Sequence, residues 1–390
     1  MNSENLISKV VQEIPPSGIR KYFDFLDDSC ISLGVGEPDF ATPEGIREEA
    51  LRRLSHGRIP YTSNAGMPEL RELILKYLEA RFDIKGYSAG EVLVTVGGSQ
   101  AIDLAMRAIL NPGDEVILPE PTYVSYTPSI RMAGGVPVTI PVTQEQGFKL
   151  MPDALRAAIT PRTKAVLIPY PNNPTGGIME RKDLEAIAEV LKDTDILVIT
   201  DEIYAELTFN GKRHASFASI PGMRERTILL SGFSKAFSMT GWRLGYAVGP
   251  QPLVGAMTKV HQLTMLCAPN TAQVAGVVAI ERGLKNDWAD TRYMIDEYDK
   301  RRRYIADAFN ALGLTCNEPE GAFYVFPSVR STGLSCEEFS DRLMAEQKVV
   351  VIPGSAFGSA GEGHVRCCYA TDLEKIKVAM DRIGAFLKTL

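Results

Sequence analysis

The chain's scarcities narrow its chemistry first. Only six of the 390 residues are cysteine and four are histidine. No two cysteines form a CxxC pair, and Cys367 and Cys368 are adjacent, a spacing poor for zinc and for a mutual disulfide. The histidines, at 56, 214, 261 and 364, show neither HxxxH nor HxH spacing. The sequence therefore offers no metal site, and the cysteines read as reduced core thiols. No block of lysines or arginines could follow a phosphate backbone, and the net charge is −6, which argues against nucleic acid as a partner. No stretch approaches ~18 uninterrupted apolar residues. The opening MNSENLISKVVQEIPPSG lacks the basic start and continuous apolar run of a signal peptide. No membrane partner is expected, and the expected location is the cytoplasm.

What is present is the composition of an ordinary globular protein, with 45% hydrophobic and 23% charged residues. A chain of 390 residues exceeds the roughly 250–300 at which single cores stop growing, so two domains sharing one body are expected. From about residue 91, seven short β-branched runs appear: EVLVTV, EVILPEP, VPVTIPV, AVLIPYP, ILVITDE, TILLSGFS and GYAVGP. Helical patterns such as QAIDLAMRAIL and DLEAIAEVLKD lie between several of them. Continuous rather than alternating apolar runs imply strands buried on both faces, which predicts an α/β fold with a mainly parallel seven-stranded sheet flanked by helices. Catalytic groups are then expected just past the carboxyl ends of the strands.

The last hundred residues change character. A charged helix near 287–312 precedes short strands LTCNE and AFYVFPS, a helix CEEFSDRLMAEQ, strands VVVIP and HVRCCYA, and an amphipathic helix from about 372. This reads as a smaller α+β domain. The first ~45 residues are loop-rich and too short to fold alone, so they are expected to pack with it. The expected organisation is an N-terminal segment (1–47) and a C-terminal unit (286–390) forming the small domain, and a large domain over 48–285.

Four stretches carry chemistry. After EVLVTV comes Gly97-Gly98-Ser99-Gln100, where converging backbone amides and a helix start can cradle a phosphate, or simply make a tight capped turn. Neither this cluster nor GVGEPD at 34–39 suits a nucleotide: no Gly-Lys-Ser/Thr follows, and Asp39 stands where a third glycine would be needed. After AVLIPYP, Asn173 precedes Pro174, which holds it extended at the sheet edge. Strand ILVIT runs into Asp201, a carboxylate with no basic neighbour in sequence, so its partner is a ligand or a distant cation. In SGFSKAFSMTGWRLGY, Lys235 sits between Phe233 and Phe237, a setting that depresses an ammonium pKa and yields the neutral amine that attacks carbonyls. Arg243, eight positions on, has the fork that suits a phosphate.

Together these match the needs of pyridoxal 5′-phosphate: an amine for its aldehyde, a carboxylate for its pyridine nitrogen, donors for its phenolic oxygen, and amides with an arginine for its phosphate. Gly98-Ser99, Asn173-Pro174-Thr175-Gly176, Asp201 to Tyr204 and SKAFSMTGWRLG resemble the signatures of class I/II aminotransferases, the aspartate aminotransferase family of fold type I, from GVGEPDF to HVRCCYA. The resemblance implies that Lys235 is the Schiff-base lysine and proton shuttle, that Asp201 pairs with the pyridine nitrogen, and that Asn173 and Tyr204 bind the phenolic oxygen. It implies that Tyr123 stacks on the ring and that Gly98, Ser99, Gln100, Ser234 and Arg243 hold the phosphate. Many relatives carry serine where this chain has Gly232, which leaves Ser231 and Ser234 both open for that contact. Arg366 and Gly36 would bind the substrate's α-carboxylate, beside Asn173. Tyr61 would reach the neighbouring subunit's phosphate, implying a homodimer. The expected substrates are an L-amino acid, of aspartate, aromatic or alanine type, and a 2-oxo acid such as 2-oxoglutarate. Lyases that cleave C–S bonds share the same cofactor residues.

Overall fold

The computed structural model describes residues 6–16, 18–22 and 29–390. The rest of the segment 1–47, including Ser17 of PPSG, lies outside the described residues. Strand β1 (Ile31–Ser32) is followed by the seven that correspond to the apolar runs: β2 (Val92–Thr95), β3 (Glu115–Glu120), β4 (Val136–Pro141), β5 (Thr163–Ile168), β6 (Leu197–Asp201), β7 (Thr227–Gly232) and β8 (Gly245–Val248). They form one sheet in the order β2-β8-β7-β6-β5-β3-β4. Only β8 runs against its neighbours, antiparallel to both β2 and β7. The mainly parallel α/β sheet expected from the apolar runs is the one observed. Strand β4, with prolines at 137 and 141 and largely exposed, takes an edge, where a missing amide donor is tolerated.

Alternation along the strands feeds two apolar layers. Leu93, Leu118, Leu167, Ile199 and Leu230 face the helices Gly97–Ile109 and Gln251–Thr264 through Ile102, Met106, Val254 and Met257. Val94, Leu229 and Tyr246 face the opposite side, against Leu70, Ile74 and Val278 of Pro68–Phe82 and Asn270–Asn286. There Ile117, Val166 and Val198 meet Leu184 and Ile187 of Arg181–Leu191. Each such side chain contributes about 1.5–3 kcal/mol by leaving water.

A further core gathers Leu33, Leu207 and Phe209 with residues from Met294 to Phe386. Its strands are β9 (Tyr324–Val325), β10 (Val349–Val350), β11 (Ile352–Pro353) and β12 (Val365–Cys368). Strand β1 pairs parallel with β10, and β11-β12-β9 form an antiparallel sheet. The stretch VVVIP thus splits at Val351 between two sheets. LTCNE is not a strand: the Asn310 side-chain amide spans it, accepting from Cys316 N at 3.0 Å and donating to Cys316 O at 2.9 Å, where a ladder would have needed a backbone partner. Among the described residues no helix is long and apolar enough to cross a membrane.

Candidate active site

The direction of each strand explains why residues far apart in sequence meet. The carboxyl ends of β2, β3, β5, β6 and β7 share one edge of the sheet, and because β8 is reversed its amino end lies there too. A cavity of about 380 Å³ opens at this edge. Its wall includes Gly98 and Ser99 after β2, Tyr123 after β3, Asn173 after β5, Asp201 at the end of β6 and Tyr204 beyond it, Ser234 and Lys235 after β7, and Arg243 just before β8. Gly36 and Arg366 close it from the other core.

Lys235 lies on a single helical turn, Phe233–Ala236, between β7 and the hairpin into β8. Its Nζ donates to the Gly36 carbonyl at 2.7 Å and stands 5.4 Å from the Phe323 ring centroid. Burial lowers its pKa to about 8, so roughly a quarter of the amine is neutral at pH 7.5. Asp201 ends β6 with only 7% of its surface exposed. Tyr126 Oη donates to Oδ2 at 2.8 Å and Ile203 N to Oδ1 at 3.1 Å. Burial nevertheless pushes this carboxyl up to about 6, with the neighbouring Glu202 adding to the push. No lysine, arginine or histidine among the described residues pairs with it, so a cationic ligand group would find it waiting.

Arg366, on β12, is 2% exposed. Its Nη1 donates to Asn173 Oδ1 at 3.0 Å and its Nη2 to the Gly34 carbonyl at 2.5 Å, while Nε has no partner among the described residues. The guanidinium lies over Tyr324 and Phe357, 4.6 and 4.8 Å from their centroids. A buried guanidinium without a carboxylate is the shape of an anion receptor. Tyr204 and Tyr324 share a hydrogen bond between their hydroxyls at 2.8 Å.

Arg243 has φ +55°, a left-handed conformation unusual for its type, and its Nη1 donates to the Thr240 carbonyl at 2.9 Å. A Cβ on Gly97, at φ +73°, would come within 2.8 Å of Arg243 Nη2, so the glycine leaves room for the guanidinium above the amide turn. The hairpin is strapped down by Trp242 Nε1 donating to Thr42 Oγ1 at 3.1 Å and by Thr42 Oγ1 donating to the Ser238 carbonyl at 2.8 Å.

Three residues named from the sequence stand off this wall. Gln100 turns back on its own helix, where Oε1 accepts from Val96 N at 2.7 Å. Ser231 donates to the Glu202 carbonyl at 3.1 Å, leaving Ser234 as the serine that lines the cavity. Tyr61 is 82% exposed on the outer surface. Among the lining residues that escape a reading of the sequence are Tyr126 and Tyr324. Tyr126, three positions after Tyr123 in TYVSY, opens the helix Tyr126–Met132, and its spacing is that of any buried helix residue.

A family model described as aminotransferase class I and II matches residues 28–383. The chain is 49% identical to the Bacillus subtilis (strain 168) protein YugH, covering 98% of each. It is 43% identical to an aspartate aminotransferase of Pyrococcus abyssi, covering 96% of each. Among solved structures, an aromatic aminotransferase from Pyrococcus horikoshii superposes with a TM-score of 0.89 at 42% identity, over 95% of this chain and 99% of that one. Such likeness over nearly the whole length, joined to a half-buried amine that shares a cavity with an unpaired carboxylate, places the chain in the class I and II aminotransferases as a transaminase dependent on pyridoxal 5′-phosphate.

Proposed function

We propose that the protein moves the amino group of an L-amino acid, of aspartate, aromatic or alanine type, to 2-oxoglutarate in a ping-pong sequence in which Lys235 both bonds the cofactor and shuttles the proton. The observation that carries this reading is the Lys235 amine, half-buried, depressed to about 8 and held by a single carbonyl on the wall it shares with Asp201 and Arg366. When bound, pyridoxal 5′-phosphate supplies an aldehyde that takes up the amine and a ring that accepts the electron pair freed at the substrate's α-carbon. The residues fit it: Gly97, lacking a Cβ, lets the Arg243 guanidinium sit over the amide turn, where with Gly98, Ser99 and Ser234 it suits a phosphate, and the unpaired Asp201 suits a protonated ring nitrogen. Asn173 and Tyr204, which line the cavity, would donate to the ring's phenolic oxygen, and Tyr123, also on its wall, would cover the ring.

Arg366, which lines the cavity with Gly36, receives the α-carboxylate of the incoming amino acid on its guanidinium. Asn173, bonded to Arg366, holds that guanidinium toward the cavity. Lys235, once released from the cofactor, takes the proton from the substrate's α-carbon and later returns it. The wall formed by Tyr324, Ile19 and Ile203 keeps water from the reacting carbon. The second half-reaction uses the same residues in reverse with the oxo acid.

In this reading residues 1–47 and 286–390 act as one small domain on the large domain 48–285, and the enzyme works in the cytoplasm as a homodimer with Tyr61 contributed across the interface. An exposed apolar neighbour of Tyr61 supports the pairing: Ile59, two residues away, is 54% exposed, and Asn270 Nδ2 donates to the Pro60 carbonyl between them at 2.9 Å.

Purified protein is expected to be yellow, with an absorbance band that shifts on adding amino donor alone and returns on adding 2-oxoglutarate. A Lys235→Ala protein that turned over at the normal rate would sink the proposal. A panel of amino donors assayed with 2-oxoglutarate ranks the three donor types, and pyruvate with ammonia released from a thioether substrate without acceptor would instead reveal a C–S lyase.

A further inference from the structure

Glu202 follows Asp201 directly, yet the proposed reaction makes no use of it. It is 2% exposed. Its carboxylate accepts from Thr200 Oγ1 at 3.0 Å and Ser216 Oγ at 2.7 Å, and it pairs with His214 Nε2 at 2.8 Å. The two paired side chains are 3% and 5% exposed. Side chains alternate along a strand, so Thr200 and Glu202 share one face while Asp201 points into the cavity from the other. His214 is the only ion-pair partner of Glu202 among the described residues. The other titratable groups in the field of Glu202 are Asp201, Tyr87 and Tyr246. His214 itself lies edge-on to Phe82, with centroids 5.6 Å apart, and on the wall of a smaller cavity shared with Glu180, Arg181, Lys212 and Arg213.

We propose that His214, through its pairing with Glu202, is a positioning residue that keeps Asp201 charged from behind the sheet. This rests on the reading that Asp201 faces the cofactor's ring nitrogen. A buried carboxylate beside another disfavours the charge of both, unless one is neutralised. The His214 ring, 2.8 Å away, is the one partner among the described residues able to offset the Glu202 charge as seen by Asp201. Without that partner, Glu202 presents a bare charge one residue away, and Asp201 takes up a proton at a higher pH. A protonated Asp201 cannot hold a proton on a ring nitrogen.

The test is an infrared titration of the Asp201 carboxyl band in cofactor-free protein, assigned by difference from Asp201→Asn. The midpoint is expected to rise by about one pH unit in His214→Gln, which keeps a neutral donor but cannot gain charge. It is expected to fall in Glu202→Gln and to stay in place in Ser216→Ala, which removes only a neutral donor. In the loaded enzyme the acid limb of kcat moves in the same directions. Midpoints unmoved in both charge variants overturn the proposal, as does a shift in Ser216→Ala equal to that in His214→Gln, which would assign the effect to packing. Should His214→Gln not fold, Glu202→Gln decides alone. The titration needs no cofactor, so its failure is distinct from a failure of the reading that Asp201 serves the ring nitrogen, which would show as normal turnover by Asp201→Asn.

Discussion

Asp201 and Lys235 are charged groups placed where water solvates them poorly, and burial displaces each toward its neutral form. For Asp201 the folded value of about 6 lies above the 3.8 of the free group. The folded chain therefore holds that proton more tightly. The stability this confers is complete below pH 3.8 and is lost as pH rises through 6, so the ionised carboxylate weighs against folding in the cofactor-free protein at neutral pH. Asp201→Asn apoprotein is expected to melt higher than the parent at pH 8 and equally at pH 4, by at most ~3 kcal/mol in unfolding free energy, while kcat falls at least ~100-fold. Lys235 has the opposite sense, its cost present below pH 8 and fading toward 10.5. Tyr126→Phe removes a hydrogen bond that holds Asp201 down. The acid limb of kcat is then expected to move up by about one pH unit; an unchanged profile would show that Tyr126 matters only for packing.

The turn after β2 and the hairpin into β8 are two elements built against each other. A Cβ on Gly245 would strike Gly97 C at 2.4 Å and Gly98 N at 2.7 Å, so the strand passes the amide turn with no room for a side chain. Gly97→Ala is expected to add about 1–2 kcal/mol of backbone strain, push Arg243 aside, and weaken cofactor binding at least ~10-fold in a titration of the apoprotein. Apolar runs made the seven strands legible, because strands covered on both faces cannot hide their composition. The failure at LTCNE has an equally local cause, since a side-chain amide that mimics a strand partner leaves no mark on hydrophobic pattern. Within the site, chemistry was legible and orientation was not. Lys235, Asp201 and Arg243 are residue types that a buried strand end does not carry without a reason. Gln100 and Ser231 sit in the same motifs but face away, and around tight turns no periodicity tells which neighbour points inward. Tyr126 and Tyr324 went unread because a buried tyrosine resembles any core aromatic.

For the whole molecule, acid and assembly set the limits. His261 is fully buried, and neither ring nitrogen has a partner among the described residues. Burial lowers its pKa, so stability is expected to fall as pH drops below 6.5, when the unfolded chain takes up a proton that the folded one resists. His261→Phe should raise the melting temperature at pH 5.5 more than at pH 8; an equal gain at both would assign the effect to packing alone. The shared-site homodimer predicts that Tyr61→Ala and Lys235→Ala chains, each impaired, regain up to about a quarter of normal activity when co-expressed and mixed, since one of the two sites in a heterodimer is whole. No recovery would mean that Tyr61 serves no neighbouring site. The hairpin described above has one more consequence, for the bench. Arg226, Lys235 and Arg243 are successive trypsin sites, and borohydride reduction of the loaded enzyme would seal the middle one. Digestion of sealed protein then yields a single fragment, Thr227 to Arg243, in place of two. The ratio of long to short fragments in a mass spectrum counts how many chains carried their cofactor.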